Sequence, residues 1–401
     1  DQGFAVDENT DLTNPLAIPF NTRTEVRDFA LQKFEEAYTE AGGPNAWSTE
    51  AVWMGLGSGK SYTNTQIRQV IRTMEAELIA MWPRNSTENA AADWPRVANV
   101  ASEGISSGTP FNWEYYIDVS ARECGTLDCV KVWGNSIGTM RVDTRVAAMI
   151  TTNHQHPWPE PGGNPCPTTS PDLRVGDGSF GPWAVGAEDN AFATQPATAN
   201  AGTDFACSGV PIFPAARGQY HQSNLQHVRY QHLAYRGENL PGFDGTGQDP
   251  FYTTQMNDLL WAEGIIRSNY AAGAGTKAEA VQLINNSRVG RGGLTALTTA
   301  NTDAELLTAL QYEQEIEFMG QGSTPFFNRR RIDGLIASTP RHMPVPAKEL
   351  DVLVREVYTF GGPGGPDMAP SMGEGGTRIR SVGEIWEDYM ALRRSLTARK
   401  Y

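Results

Sequence analysis

Apolar residues recur at helical spacing in two parts of the chain, and between them lies a block where that period fades. In the first part, Val26, Phe29, Ala30, Phe34, Ala37 and Tyr38 form one stripe, ending near Gly42-Gly43. Ile67, Val70, Ile71, Met74, Leu78 and Met81 form a second, which Pro83 terminates. Trp94, Val97 and Val100 mark a short helix between Asp93 and Gly104. In the second part, Met256, Leu259, Leu260, Glu263 and Ile266 share one face, and Val281, Leu283 and Ile284 another, ending in the Arg288-to-Gly293 turn. Leu306, Ala309, Tyr312, Ile316 and Met319 follow, with Gly320 and Gly322 as stop signals and Pro325 as a breaker. A final amphipathic helix carries Trp386, Tyr389, Met390 and Leu392. Five of these helices open on a capping box, in which a threonine or serine accepts from a free N–H and a Glu or Gln three residues on reaches back. The boxes are Thr22/Glu25, Thr63/Gln66, Thr276/Glu279, Thr302/Glu305 and Ser381/Glu384.

From Ser107 to Pro250, Gly, Pro, Asn and Asp become frequent and strand-like runs appear, among them Tyr115-Tyr116-Ile117-Asp118-Val119 and Val130-Lys131-Val132-Trp133. A structureless loop of that length is uncommon inside a compact domain, so the block reads as a subdomain. The pattern predicts a mainly α fold: helical hairpins stacked as a tetratricopeptide-like solenoid, carrying a large loop-rich insertion with short strands. The strict tetratricopeptide signature is absent, so any repeat is structural. The expected segments are a helical scaffold over 1–106, the insertion over 107–250, more scaffold over 251–355, and a Gly/Pro-rich loop with a terminal helix over 356–401.

Composition narrows the function. The chain has 401 residues, 39% of them hydrophobic, and a formal net charge of -14. No basic stripe exists to neutralise phosphates, so nucleic acid is not an expected partner. No run of about 18 apolar residues occurs, so no segment reads as a membrane-spanning helix. The four cysteines, Cys124, Cys129, Cys166 and Cys207, all fall in the insertion without a Cys-x-x-Cys spacing. Two disulfides are expected, Cys124–Cys129 and Cys166–Cys207 being the favoured pairing of three connectivities. Four buried thiols are the alternative.

Candidate chemistry is sparse. Gly55-Leu56-Gly57-Ser58-Gly59-Lys60-Ser61 imitates a phosphate loop, but Met54 stands where that pattern needs glycine. His154 and His156 could bind a metal, as could His221, His227 and His232, but the second group fits no helix face and has no carboxylate to orient its rings, so no metal is expected. Asp172, Asp177, Asp189 and Asn190 could hold calcium through oxygens, yet no twelve-residue loop pattern supports it, and no cofactor is expected. Aromatic rings can stack on the apolar faces of sugars. Trp158 and Trp183, in Pro/Gly-rich loops beside Glu160 and Asp177, are expected to be such platforms, with Tyr220; packing inside the subdomain is the competing reading. Glu313 and Glu317 share a helix face, and Arg329, Arg330 and Arg331 follow the glycine turn. That suggests an ion-pair lock, against a solvated acidic face followed by a basic loop.

These last residues carry a resemblance. Tyr312-Glu313-Gln314-Glu315-Ile316-Glu317-Phe318, the glycine turn and Phe326-Phe327-Asn328-Arg329-Arg330 resemble the C-terminal signature of the SusD/RagB-type nutrient-binding lipoproteins. Asn285-Asn286-Ser287-Arg288-Val289-Gly290-Arg291-Gly292-Gly293-Leu294, Leu259-Leu260-Trp261-Ala262-Glu263 and Met343-Pro344-Val345-Pro346 are similar to further motifs of that family, in its order. Gln314 stands where its arginine is usual, and Asn328 where its aspartate is. The resemblance implies a non-catalytic subunit on the extracellular face of the outer membrane. It implies that the protein captures a glycan, peptide or other oligomer and works as a lid on a SusC-like TonB-dependent transporter. It also implies a lipid anchor and first helices upstream of Asp1. A surface assembly protein reusing the scaffold, or a glycoside hydrolase, are the other readings; the latter needs two carboxylates facing across a cleft.

Overall fold

The structure, a computed structural model, describes residues 2–3, 5–7, 9–14, 17–19, 21–54, 59–117, 141–156, 168–176, 204–207, 222–227, 229, 247–336, 339–341 and 348. The described residues are mainly helical, as the apolar period predicts. The chain forms two compact units, one of Asp1–Arg23 with Leu335–Tyr401 and one of Thr24–Gly334. In the first, strand β1 (Gln2–Gly3) pairs antiparallel with β2 (Asn21–Thr22), and Asn21 Oδ1 accepts from the Ala5 N–H at 3.0 Å.

The second unit contains the helices α1 (Arg23–Ala41, from Thr24 on), α2 (Asn64–Met81), α3 (Ser86–Ala90), α4 (Trp94–Ser102), α5 (Thr144–Ile150), α6 (Thr254–Arg267), α7 (Lys277–Arg288), α8 (Asp303–Glu317) and α9 (Thr324–Arg331). The boxes at Thr63, Thr276 and Thr302 close as predicted, each with both reciprocal hydrogen bonds. Ser381 and the final predicted helix lie outside the described residues. Three short helices were not anticipated. Asn85 caps α3 and Asp143 caps α5, within the block where the period fades. α9 begins with Pro325 in its first turn, where a missing N–H costs nothing. The proline read as a breaker therefore opens a helix, and the three arginines line its last turn instead of a loop.

Strand β3 (Trp113–Ile117) pairs antiparallel with β7 (Gly247–Tyr252), so the two ends of the loop-rich block meet. Tyr252 belongs to that strand, and α6 starts two residues later, capped by Thr253. A second sheet has the order β4 (Arg141–Asp143), β6 (Gln222–His227), β5 (Phe205–Cys207), all antiparallel.

The core is built in layers around α4 and α6. On one side Ala76, Ile79 and Ala80 of α2 meet Trp94, Val97, Met256 and Leu260. On the other, Ala98, Ala262 and Ile265 meet Ala280 and Ile284 of α7 and Leu306 and Leu310 of α8. Helices from both sides of the block thus share one core. A third cluster joins Val142, Val146, Ile150, Phe205 and Leu225 to Ile316, which seats the block on α8.

The α4–α6 contact depends on Gly264. A Cβ there would lie 2.6 Å from Ala98 N and 2.9 Å from Ala98 Cα, against backbone that has no rotamer to escape into. Gly264→Ala is expected to destabilise by about 1–3 kcal/mol, through overpacking. This outweighs the gain of about 1 kcal/mol in helix propensity. At Gly108 the nearest atom to such a Cβ is Ser106 Oγ at 3.6 Å, so Gly108→Ala serves as the neutral control. Urea midpoints decide: a Gly264→Ala midpoint equal to wild type means the two backbones can part.

Candidate functional site

Several buried charges converge at the last turns of α8. Glu313 and Glu317 are fully buried, as is Arg174 from the loop-rich block. Arg174 Nη1 donates to Glu313 Oε2 at 2.8 Å and to Glu317 Oε1 at 3.1 Å. Its Nε and Nη2 grip both oxygens of Asp172 at 2.9 and 2.7 Å, and Tyr312 OH donates to the same carboxylate at 2.8 Å. Arg229 Nη1 reaches Glu317 Oε2 at 2.8 Å, while Arg291 pairs with Glu317 and, at 2.6 Å, with Asp204. Ser287 Oγ sits within 2.8 Å of both glutamates.

Burial disfavours the charged form of Glu317, but Arg291, Arg229 and Arg174 outweigh it and hold the carboxyl well below its usual range. Asp204 is held low in the same way, by Arg291 and Arg229. For Glu313 burial wins, and its carboxyl is pushed up in spite of Arg174.

This lock differs from the one the spacing suggests. The arginine partners of Glu313 and Glu317 come from residues 174, 229, 288 and 291, not from the arginines past the glycine turn. Those arginines have other work. Arg329 pairs with Glu315 at 3.0 Å, the carboxylate that Arg145 of α5 also holds at 2.9 Å. Arg330 caps α2, donating to the carbonyls of Met81, Trp82 and Pro83 at 2.9, 3.1 and 3.2 Å. Arg331 makes the second buried lock, with both nitrogens 2.6 Å from the two oxygens of Glu263. Gln314 and Asn328 contribute neutral hydrogen bonds to it: Gln314 Nε2 donates to Glu263 at 2.8 Å, and Asn328 Oδ1 accepts from Arg331 at 2.7 Å. Arg331 and Arg267 overcome burial to hold the Glu263 carboxyl at about 2.

Other candidates divide between described and undescribed residues. Trp158, Trp183, Tyr220, Cys124, Cys129 and Cys166 lie outside the described residues, and Cys207 is described only as a position in β5. Of the oxygen-rich set, Asp172 is spent on Arg174 and Tyr312, while Asp177, Asp189 and Asn190 lie outside. Among the described residues, no group of three or more His, Cys, Asp or Glu is placed to hold a metal. His154 is buried. Thr151 Oγ1 gives its hydrogen to Ala147 O at 2.7 Å, so His154 Nδ1 must donate to that oxygen, leaving Nε2 a buried lone pair with no partner among the described residues. Burial lowers its pKa from 6.5 to about 4.

Two exposed tryptophans lie elsewhere. Trp53 is 62% exposed, Val52 50% and Trp47 39%, on a segment that is firmly held. Trp47 O accepts from the Asn64 N–H at 2.8 Å, and Thr49 and Tyr62 exchange hydrogen bonds at 2.8 and 2.9 Å. Met54 is buried, and Gly59 packs so tightly that a Cβ there would lie 2.1 Å from Ala51 O. Beneath, the Tyr62 ring packs at 4.7 Å from Trp113, its hydroxyl accepting from Glu114 N at 2.9 Å and donating to Asn112 O at 3.0 Å. The neighbouring polar groups are Lys60, half-exposed and paired with Glu114, and Asn112, 3.1 Å from the same carboxylate. Lys60, from the phosphate-loop-like stretch, is therefore a carboxylate partner here. The signal for these tryptophans was legible: Trp47 follows Gly42-Gly43-Pro44 and Trp53 precedes Gly55, which is the loop context that singled out Trp158 and Trp183.

No family model matches the chain, and no curated protein matches it. Among solved structures it is similar to a SusD-like protein from Bacteroides fragilis, with a TM-score of 0.44 and 13% identity over 82% of this chain and 64% of that one. It is also similar to surface glycan-binding protein A from Bacteroides uniformis, with a TM-score of 0.41 and 13% identity over 84% of this chain and 68% of that one. The chain thus spans a little under two thirds of the first.

Two outcomes test the buried charges. Arg331→Met leaves the buried Glu263 carboxylate with Arg267 and Gln314 alone and is expected to cost about 3 kcal/mol in chemical denaturation, the low end for breaking a buried pair. The pH profile should fall in two stages. His154, with a folded pKa below its unfolded one, costs nothing above about 6.5 and destabilises increasingly as pH drops towards 4, by up to about 3 kcal/mol. Glu317, Asp204 and Glu263 have lowered pKa values, so their contribution is complete above the ordinary carboxylate range and is lost below it. His154→Gln should flatten only the first stage of thermal melts recorded against pH.

Proposed function

We propose that this chain is a non-catalytic, surface-exposed oligosaccharide-binding subunit that works with a SusC-like TonB-dependent transporter. It sits on the extracellular face of the outer membrane. The observation that carries the reading is the pair of solvent-exposed indoles, Trp47 and Trp53, on a segment pinned by backbone hydrogen bonds. An exposed indole on a fixed backbone gains contact with a sugar face at little entropic cost. Nearby stands the half-exposed Lys60 ammonium, held in place by the buried Glu114 carboxylate, as a donor able to orient a hydroxyl.

Two further observations support it. The motifs from Leu259 to Pro346 follow the order of the SusD/RagB family. The carboxylates that a hydrolase would need are, in the core, spent: Glu263, Glu313, Glu317 and Asp172 are each bound by arginine. An oligomeric glycan rather than a peptide is the favoured ligand, because flat ring faces suit the indoles and the donor beside them is not matched to an extended backbone.

Titration calorimetry against a panel of neutral oligosaccharides tests this. Trp53→Ala and Trp47→Ala are each expected to weaken binding about tenfold, about 1.4 kcal/mol. Chromatography of the recovered sugar should show no shortening. Binding that both substitutions leave intact removes the platform, and shorter products remove the non-catalytic reading.

A further inference from the structure

A cleft of 640 Å³ runs along the outer face of α8, between that helix, the end of α5 and the loop after α7. Its size suits a small ligand. Met149, Ile150, Leu294, Leu297 and Ala309 supply apolar walls. Its hydroxyls donate inward. Thr151 Oγ1 donates to Ala147 O at 2.7 Å, and Thr308 Oγ1 to Ala304 O at 2.8 Å. Thr152 Oγ1 pairs with Thr169 Oγ1 at 2.6 Å, and Tyr312 OH is held by Asp172 at 2.8 Å. The Glu305 carboxylate is engaged by its own helix cap, accepting from Thr302 N at 2.7 Å.

Arg288 is the exception. Its Nε donates to Thr295 O at 2.8 Å and its Nη1 lies 3.6 Å from Glu313 Oε1, but Nη2 has no hydrogen bond among the described residues. Glu305 is eight residues up the helix from Glu313, about 12 Å along the axis, so its charge is remote from the Arg288 end.

A sugar in this cleft would lose water from several hydroxyls and find few groups to replace it, and a peptide backbone would meet the same deficit. An apolar chain with one acceptor at its end has no such deficit. We propose that the cleft is a second binding site, separate from the tryptophan platform, that takes an acyl chain with its carboxylate on Arg288 Nη2 and its methylenes along Ala304, Thr308 and Ala309.

The test is calorimetric titration of the full chain with decanoate. Saturable binding is expected, weakened about tenfold or more by Arg288→Gln and abolished by Ala309→Trp, which fills the cleft. A cooperative thermal melt confirms that Ala309→Trp is folded, and Thr308→Leu, which adds apolar surface without blocking the cleft, should bind at least as well as wild type. Trp53→Ala should leave decanoate binding unchanged, so this site and the glycan platform stand or fall separately. Absence of saturation in the wild type, equal binding by folded Ala309→Trp, or displacement of decanoate by a neutral oligosaccharide overturns the proposal.

Discussion

The constraint on which the rest of the large unit depends is electrostatic. α8 buries Glu313, Glu315 and Glu317 within five residues, and α6 buries Glu263 opposite Gln314. Carboxylates removed from water are costly unless paired and hydrogen-bonded, so each demands arginine partners at a fixed distance. The chain supplies them from far away: Arg145, Arg174 and Arg229 from the loop-rich block, Arg291 from the turn after α7, Arg329 and Arg331 from α9. Each pair crosses between elements, and breaking one strands a charge. The helices themselves need only apolar stripes and caps; the register between block and helices is set by these ions.

This division of labour explains where recognition can sit. The frame around α4 and α6 is close-packed, with Gly264 on Ala98, and leaves little room for a ligand. Surfaces at its margins are different. The segment from Trp47 to Met54 is fixed by Tyr62 and Gly59, yet presents its indoles outward. The cleft beside α8 exists because the block is held against that helix by Ile316 below and by arginines at its end. In both places a rigid support carries an exposed apolar feature, which limits the ordering cost of binding.

How much of this the chain discloses in advance follows from distance along it. The caps at Thr63, Thr276 and Thr302 are three-residue events and could be read directly. The apolar stripes of α2, α4, α6, α7 and α8 were legible for the same reason. α9 was missed because proline both ends and begins helices, and only the environment of Pro325 distinguishes the two. The acidic face of α8 was legible, but its partners were not: Arg174 is 139 residues from Glu313, and nothing local to either announces the other. The nearby arginines at 329 to 331 were the natural guess, and the fold turns them to Glu315, the end of α2 and Glu263 instead. Trp47 and Trp53 are legible as loop tryptophans, but their exposure depends on Tyr62 and Gly59 packing beneath the segment, which no local pattern encodes.

The most direct measurement of the central claim is amide hydrogen exchange on Glu317→Gln, compared with the wild type under native conditions. The account predicts faster exchange in 168–176, 204–207 and 222–227, where Arg174, Asp204 and the strand leading to Arg229 lie, with protection retained in 254–266 and 277–288. Unchanged exchange in those block segments, or an equal loss of protection through the α4 and α6 core, would contradict it.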